Sequence, residues 1–351
     1  YPWVETGEAA QAARRSPRYT EHDGLLALRS GDDLSILSTP RSGQFARKMS
    51  AGRLETLAET PYIYFLRYVL GVEPLDEPAL DDEPWMNRLR HGDILHRTFA
   101  AFIEDLDGNP PSPLDQERLR TLLKQEVERY ARRIAPPSQV VREAALRRLW
   151  QDALVFLRAE AERSDAFRAI AQEQGFGFGA HRRQDGDFGD VDLALGDGRT
   201  LRLRGRIDRI DRLADGSLVV WDYKTGSARA YSVDEPLQNG TTLQWALYAY
   251  VLETAMREPV AQSGYFFTST REMGERFVFE PDRVRDEVES ILNDLSDLAE
   301  TGTFPMTPDA PSASAWLYRG FGRLFPHLRE RSRTLADKDW PPDRPLPPTR
   351  R

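Results

Sequence analysis

Hydrophobic and polar positions alternate with different periods along the chain, and the change of period divides it. Over residues 1–48 the two kinds mix without a sustained repeat and with several Gly and Pro, which predicts an extended arm or linker. The first strong pattern follows Thr60. Tyr62, Phe65, Leu66 and Val69 share one helical face, with Thr60 as N-cap, Pro61 at the first helical position and Gly71 as the stop. Residues 73–84 are acidic and broken by proline, which predicts a loop. Helical periodicity runs from Trp85 to about Asp105 and stops at Pro110, Pro111 and Pro113. It resumes over 115–134 and 138–163, two charged amphipathic helices separated by Pro136-Pro137.

Near Ala166 glycine becomes frequent and the period falls to 2. Val191–Leu195 alternates, and so does the run from Leu201 to Asp208. Asp215-Gly216 is a hairpin signal between that run and Ser217–Lys224, so the two are antiparallel strands. A helix is predicted from about Thr241 to Ala255, a strand over Ser263–Thr270 and a helix over 281–300. The Pro-rich tail from Trp340 to Pro348 reads as disordered or extended. The boundaries that follow are an arm at 1–48, a helical part at 49–165, a strand-rich core at 166–310 and a C-terminal helical segment with its tail at 311–351.

Length and composition exclude several classes of function. At 351 residues the chain exceeds one ordinary domain. It holds no cysteine, which removes disulfides, thiolate zinc sites, cysteine nucleophiles and cysteine-ligated iron–sulfur clusters, and fits a cytoplasmic location. No apolar run approaches the ~20 residues that span a bilayer, and no signal peptide opens the chain, so no membrane partner is expected. The chain begins at Tyr1 without an initiator Met, as a fragment of a longer polypeptide would. The net charge of −8 argues against a uniformly basic surface, yet arginines cluster. One cluster holds Arg199, Arg202, Arg204, Arg206, Arg209 and Arg212. A second holds Arg319, Arg323, Arg329, Arg331 and Arg333. Either can be a solvated salt-bridge face or a phosphate contact.

The strand pattern brings candidate chemistry together. On the strand ending at Lys224, Asp222 and Lys224 point one way and Tyr223 the other. The hairpin can set Asp208 beside Asp222. Two carboxylates that close repel unless a cation or a proton lies between them, and hard oxygen ligands suit Mg²⁺ or Mn²⁺. A lysine two residues on can reach the same site, to orient water or offset charge on a phosphate transition state. The same residues can also form an exposed hairpin with a cross-strand Asp/Lys pair.

The wider string decides between these readings. Gly205-Arg206-Ile207-Asp208, then Trp221-Asp222-Tyr223-Lys224-Thr225, then Gln244 and Tyr248 four apart on a helix, resemble the PD-(D/E)XK nuclease superfamily in its RecB/AddB-type branch. Gly92–His96 resembles that branch's G-x-x-x-H helix, and Glu173–Gly177 its E-x-G-F-G segment. The segment Leu54–Leu66 looks AddB-like, with Thr60 where many relatives carry an iron–sulfur cysteine. The resemblance implies a restriction-endonuclease-like α/β core, a mixed sheet flanked by helices, below a large helical N-terminal half. It implies a metal site of Asp208, Asp222, His96, Glu173 and the Tyr223 carbonyl, with Lys224, Gln244 and Tyr248 completing the catalytic set. Mg²⁺, with Mn²⁺ as a possible substitute, and no iron–sulfur cluster, are the cofactor expectations. Packing between the N-terminal helix and the C-terminal segment would replace that cluster as a staple. Arg204, Arg206 and Arg209 are expected to contact DNA phosphates. The implied function is a Mg²⁺-dependent deoxyribonuclease, exonucleolytic, in helicase-coupled double-strand break processing and recombination repair. No G-x-x-x-x-G-K-[ST] motif occurs, so a helicase domain or partner subunit would supply the motor. Two readings stay open beside it: a stand-alone exonuclease of CRISPR adaptation or phage defence, and a catalytically silent DNA-binding scaffold.

Overall fold

The helical half begins earlier than the hydrophobic pattern indicates. In a computed structural model of the chain, residues 2–26, 48–73, 85–163, 167–179, 182, 184–196, 198–306 and 338–348 are described. Helix α1 spans Pro2–Arg15, which corrects the expected extended arm over that stretch. Its proline stands at the first position, and Ala, Glu, Gln and Arg dominate the rest, so intrinsic propensity forms it. Almost every position whose exposure is described is open to solvent, and no apolar stripe existed to be read. Residues 27–47, residues 74–84 of the loop expected over 73–84, and the second arginine cluster lie outside the described residues.

Helices α2 (Ala51–Glu59) and α3 (Pro61–Tyr64) follow, and α3 widens into a π-type turn over Phe65–Val69 before Gly71. Pro61 sits at the first position as expected, but Thr60 does not cap. Its buried hydroxyl donates back to the Thr56 carbonyl at 3.3 Å. Helix α4 spans Arg88–Asp105, α5 Gln116–Ala131 and α6 Gln139–Ala161. Asn87 caps α4 and Ser138 caps α6.

The strands are β1 (Phe167–Phe176), β2 (Val191–Ala194), β3 (Thr200–Leu203), β4 (Gly205–Leu213), β5 (Leu218–Lys224), β6 (Val260–Phe267) and β7 (Arg276–Phe279). Helix α7 (Gln244–Met256) joins β5 to β6, and α8 (Arg285–Glu300) follows β7. The main sheet has the order β1-β4-β5-β6-β7, with β5 and β6 parallel and the other neighbours antiparallel. Strands β2 and β3 form a separate hairpin. The expected continuous run from Leu201 to Asp208 is therefore two strands in two sheets. The chain changes sheet at Arg204, whose N–H goes to the Met49 carbonyl at 2.8 Å. The short strand β7 was not anticipated.

Alternation along β5 sorts two cores. Val219, Trp221 and Tyr223 face α4–α6, where Phe99 and Phe156 stack at 4.0 Å between centroids. Leu218 and Val220 face the other way, into a core with Leu247 and Val251 of α7 and Leu292 and Leu295 of α8. Arg209 belongs to the first face. It is fully buried, with Nη1 donating to Glu160 at 2.9 Å and Nε to Asp211 at 2.6 Å. Asp211 also takes Arg163 at 2.6 Å and the Trp221 indole at 3.1 Å. The expected phosphate contact of Arg209 is thereby corrected. A guanidinium that deep is held by carboxylates, and removing one partner would strand a buried charge.

The tail over 338–348 does not hang free. Lys338 Nζ makes a buried ion pair with Asp23 at 2.8 Å and donates to the Ala13 carbonyl at 2.9 Å. Trp340 sets its edge on Tyr19, 5.0 Å between centroids. Arg344 donates to the Leu26 carbonyl at 3.0 Å and also reaches the Thr301 carbonyl. Prolines lower the entropy lost on docking, and these side chains supply the contacts. N- and C-terminal segments thus pack together around Ile63, Leu66 and Met306. Among the described residues no helix is long and apolar enough to cross a membrane.

Candidate active site

Strands β4 and β5 stay paired from Arg212↔Leu218 to Arg209↔Trp221 and then part. Asp208 and Asp222 are the next positions, on one face, where turn and alternation together put them. Both are buried. Asp208 Oδ2 accepts the Tyr223 N–H at 2.7 Å, in place of a ladder bond. The Tyr223 ring points the opposite way, edge-on to Phe99 at 5.4 Å and to His96 at 5.7 Å. Lys224 comes back to the Asp222 side, Nζ 2.7 Å from Asp222 Oδ2. That oxygen is buried and makes no hydrogen bond of good geometry, so the contact is one of charge rather than direction.

Gln244 opens α7 and reads both partners. Its Oε1 accepts Lys224 Nζ at 2.8 Å, and its Nε2 donates to Asp222 Oδ1 at 2.5 Å and to Tyr248 Oη at 3.1 Å. His96 arrives from α4 with Nδ1 3.4 Å from Asp208 Oδ2. Gly92, one turn earlier, lets the helix come close, since a Cβ there would lie 3.2 Å from Thr225 Oγ1. Glu173 is fixed by register. Its neighbours pair Gln172↔Arg209 and Gln174↔Ile207, which sets it across from Asp208 on the same face. Its φ of 48° is rare for a side-chain-bearing residue and marks local strain at the site. One ligand atom each from His96, Glu173 and Asp208 lie within 4.8 Å of one another. Asp222 stands beside this trio, engaged by Lys224 and Gln244.

The charges are interdependent. Burial alone would raise Asp208, but His96 and the Tyr223 N–H hold its carboxyl below the ordinary value. Burial opposes the His96 imidazolium, and Asp208 outweighs it, so His96 rises to about 9. Burial, together with Asp208, pushes Glu173 up to about 7 against the pull of His96 and Arg206. Burial pushes Asp222 up to about 6, with Lys224 opposing and Asp208 assisting. The net result is a pocket short of positive charge. One imidazole and converging carboxylates form a donor set that fits a divalent cation. A cleft of ≈ 280 Å³ leads to it, lined by Arg88, His96, Lys224, Thr225 and Tyr231 among others.

The remaining arginines differ. Arg206 donates to the Glu173 carbonyl at 2.9 Å and to Gln184 at 3.2 Å, so it braces the strained Glu173. Arg204 is half-buried; burial, then Arg53 and Arg182, hold its guanidinium below the usual value, and none of these three forms an ion pair among the described residues. Arg199 and Arg212 pair with Asp297 and Glu258. Glu55 was missed in the sequence. Its carboxylate accepts the Gln244 N–H at 2.9 Å across 189 residues of chain, and no spacing signals it.

Gly205, at the start of β4, meets a tighter constraint. A Cβ there would lie 2.7 Å from the Phe176 ring and 3.2 Å from Tyr248 Oη. Phe176 is fully buried and cannot swing away. Gly205→Ala is expected to cost ~1–3 kcal/mol. The check is a lower urea midpoint at unchanged slope.

Known proteins share this stretch of chain. It is similar to the B-type subunit of the ATP-dependent helicase/deoxyribonuclease of Streptococcus agalactiae, at 28% identity over 211 residues, 57% of this chain and 16% of that protein. It is similar to the protein of the same name in Clostridium perfringens, at 24% over 257 residues, 67% of this chain and 21% of that one. For Clostridium acetobutylicum the figures are 28% over 195 residues, 51% and 15%. The chain thus spans about a fifth or less of the length of these relatives. A sequence model of the PD-(D/E)XK nuclease superfamily matches residues 48–313, which contain every side chain of the site just described. With its mixed five-stranded sheet flanked by helices, the chain belongs to the PD-(D/E)XK nuclease superfamily.

Proposed function

We propose that this chain is a Mg²⁺-dependent deoxyribonuclease domain that hydrolyses phosphodiester bonds, acting as an exonuclease on DNA ends. The observation that carries the reading is the convergence of Asp208, Glu173 and His96 beside an Asp222–Lys224 pair. His96, Glu173 and Asp208 would hold the cation, with Asp222 and the Tyr223 carbonyl as further ligands. A divalent cation there would activate water and offset charge on the phosphate. Lys224 would present its ammonium to the attacking water or to a phosphoryl oxygen, where a preorganised charge acts most strongly in the transition state. Gln244 would hold Lys224 and Asp222 in one geometry, and Tyr248 would buttress Gln244. Arg204, with Arg206, would meet DNA phosphates near the start of β4.

Similarity to B-type helicase/deoxyribonuclease subunits supports a role in double-strand break end processing and recombination repair, with the motor in another domain or subunit. The intact buried charge set disfavours a silent scaffold, because isolated buried carboxylates cost stability that a mere binding surface need not bear. Cleavage of end-labelled single- and double-stranded DNA tests the proposal. The expected result is cleavage with Mg²⁺, none with EDTA and none by Asp222→Ala. Undiminished cleavage by Asp222→Ala would sink the assignment. Tight DNA binding without cleavage by the folded wild type would favour the scaffold.

A further inference from the structure

Helix α7 carries Gln244 and Tyr248 at its start, yet no side chain of its own turn caps it. The preceding residue is Leu243, which has no side-chain oxygen to offer. The first N–H groups of a helix need partners, and a buried helix start without them is costly. Here the partner comes from elsewhere. Glu55 of α2 extends its carboxylate to the Gln244 N–H at 2.9 Å. The same carboxylate lies in the field of Lys224 and Asp222, and burial pushes its carboxyl up to about 7. The next link is the Gln244 side chain, which touches Lys224 Nζ, Asp222 Oδ1 and Tyr248 Oη. One amide therefore fixes the ammonium and the carboxylate together, and its backbone is anchored by an acid from a different helix. α2 packs against α7 and α8 through Leu54, Leu57 and Ala58, so Glu55 has little freedom to drift.

We infer that Glu55 is a positioning residue of the catalytic centre: it caps α7 from outside and thereby sets where Gln244 holds Lys224 and Asp222. The inference rests on the nuclease reading for its kinetic consequences and on the contact alone for its structural ones. A carboxyl is suited to the place because its oxygen accepts the first N–H of the helix whether or not the group carries a proton. It also gives the segment 51–59 a function in the reaction, although that segment contributes no group to the cleft.

The experiment uses the full chain and five proteins: wild type, Glu55→Ala, Glu55→Gln, Gln244→Ala and the double variant Glu55→Ala/Gln244→Ala. Cleavage of labelled DNA is measured at saturating Mg²⁺, well below each protein's Tm. Glu55→Ala is expected to lower kcat about 10–100-fold, as loss of a group supporting a ligand-holding carboxylate does, with KM within about twofold. Glu55→Gln keeps an acceptor oxygen and is expected to recover most of that loss. In the Gln244→Ala background Glu55→Ala is expected to add almost nothing, because the pathway runs through Gln244. Additive losses in the double variant overturn the inference. So does equal damage from Glu55→Gln and Glu55→Ala tracking a fall in Tm, which is what a merely structural role gives. Hydrogen exchange at Gln244 is read in parallel and does not depend on activity. It should accelerate in Glu55→Ala and not in Glu55→Gln. If the wild type cleaves nothing, the nuclease reading fails by itself, and unchanged exchange at Gln244 in Glu55→Ala would separately overturn the anchoring.

Discussion

Lys224→Ala is expected to lower the cleavage rate by ~10²–10³-fold, the size of effect seen when one preorganised group at a developing charge is removed. The geometry explains why the loss should fall on the chemical step. Lys224 Nζ stands 2.7 Å from Asp222 and 2.8 Å from Gln244, and above the Tyr265 ring at 5.1 Å from its centroid. Its stem is thus held and its ammonium is a point charge in a fixed place. Lys224→Arg should not rescue, because a planar fork is broader than an ammonium and cannot occupy the same contacts. Cation binding should survive in Lys224→Ala, since His96, Glu173 and Asp208 remain. The variant should also fold. Asp222 would lose its counter-charge, but its carboxyl already sits near 6 through burial and would move further up, taking a proton instead of standing ionised and alone. The stability loss should accordingly be larger at pH 8 than at pH 6. Single-turnover cleavage separates the step from product release. A rate within about threefold of wild type would remove Lys224 from the chemistry.

Part of this site was legible from the chain alone, and particular residues show where legibility ended. The pair Asp208 and Asp222 follows from two local rules, a two-residue turn signal and side-chain alternation, and the hairpin obeys both. Alternation also speaks against Arg209 as a phosphate contact. It is one residue from Asp208, so it faces the other core, where Glu160 and Asp211 hold it. His96 is a different case. It reaches Asp208 across 112 positions through the packing of α4 on the sheet, and no periodicity states that distance. Only the family resemblance brought it in. Glu173 required the register of β1 on β4, including an irregularity between Ala169 and Ala171, which no single-strand pattern reveals. Glu55 and the docked tail depend on contacts between segments far apart in sequence. Helix α1 escaped because it has helix propensity without an apolar face, and a reading built on hydrophobic period has nothing to detect there.

Asp208→Asn should abolish cleavage, with a loss of ~10³-fold or more, and should change how cation binding responds to pH. Asp208 is the common neighbour: it raises His96 to about 9 and helps raise Glu173 to about 7. A cation requires His96 neutral and Glu173 ionised, so both protons must leave on binding. Apparent Mn²⁺ affinity in the wild type should therefore climb steeply from pH 6 to pH 8, by about two orders of magnitude or more. The metal-free fold should respond the opposite way. The raised groups His96, Glu173, Asp222 and Glu55 bind more protons folded than unfolded between their ordinary and raised values. Stability from these groups is thus greatest on the acid side, falls as pH rises from about 4 towards 9, and is restored by a bound cation. With Asn at 208 the central charge is gone. His96 should return towards an ordinary imidazole while burial still holds Glu173 up, so the imidazole proton is no longer released near neutrality and the affinity profile becomes shallower at a lower level. Calorimetric titration with Mn²⁺ in two buffers of different ionisation enthalpy counts those protons. A variant that still releases as many as the wild type at pH 7 would show that Asp208 does not organise the centre.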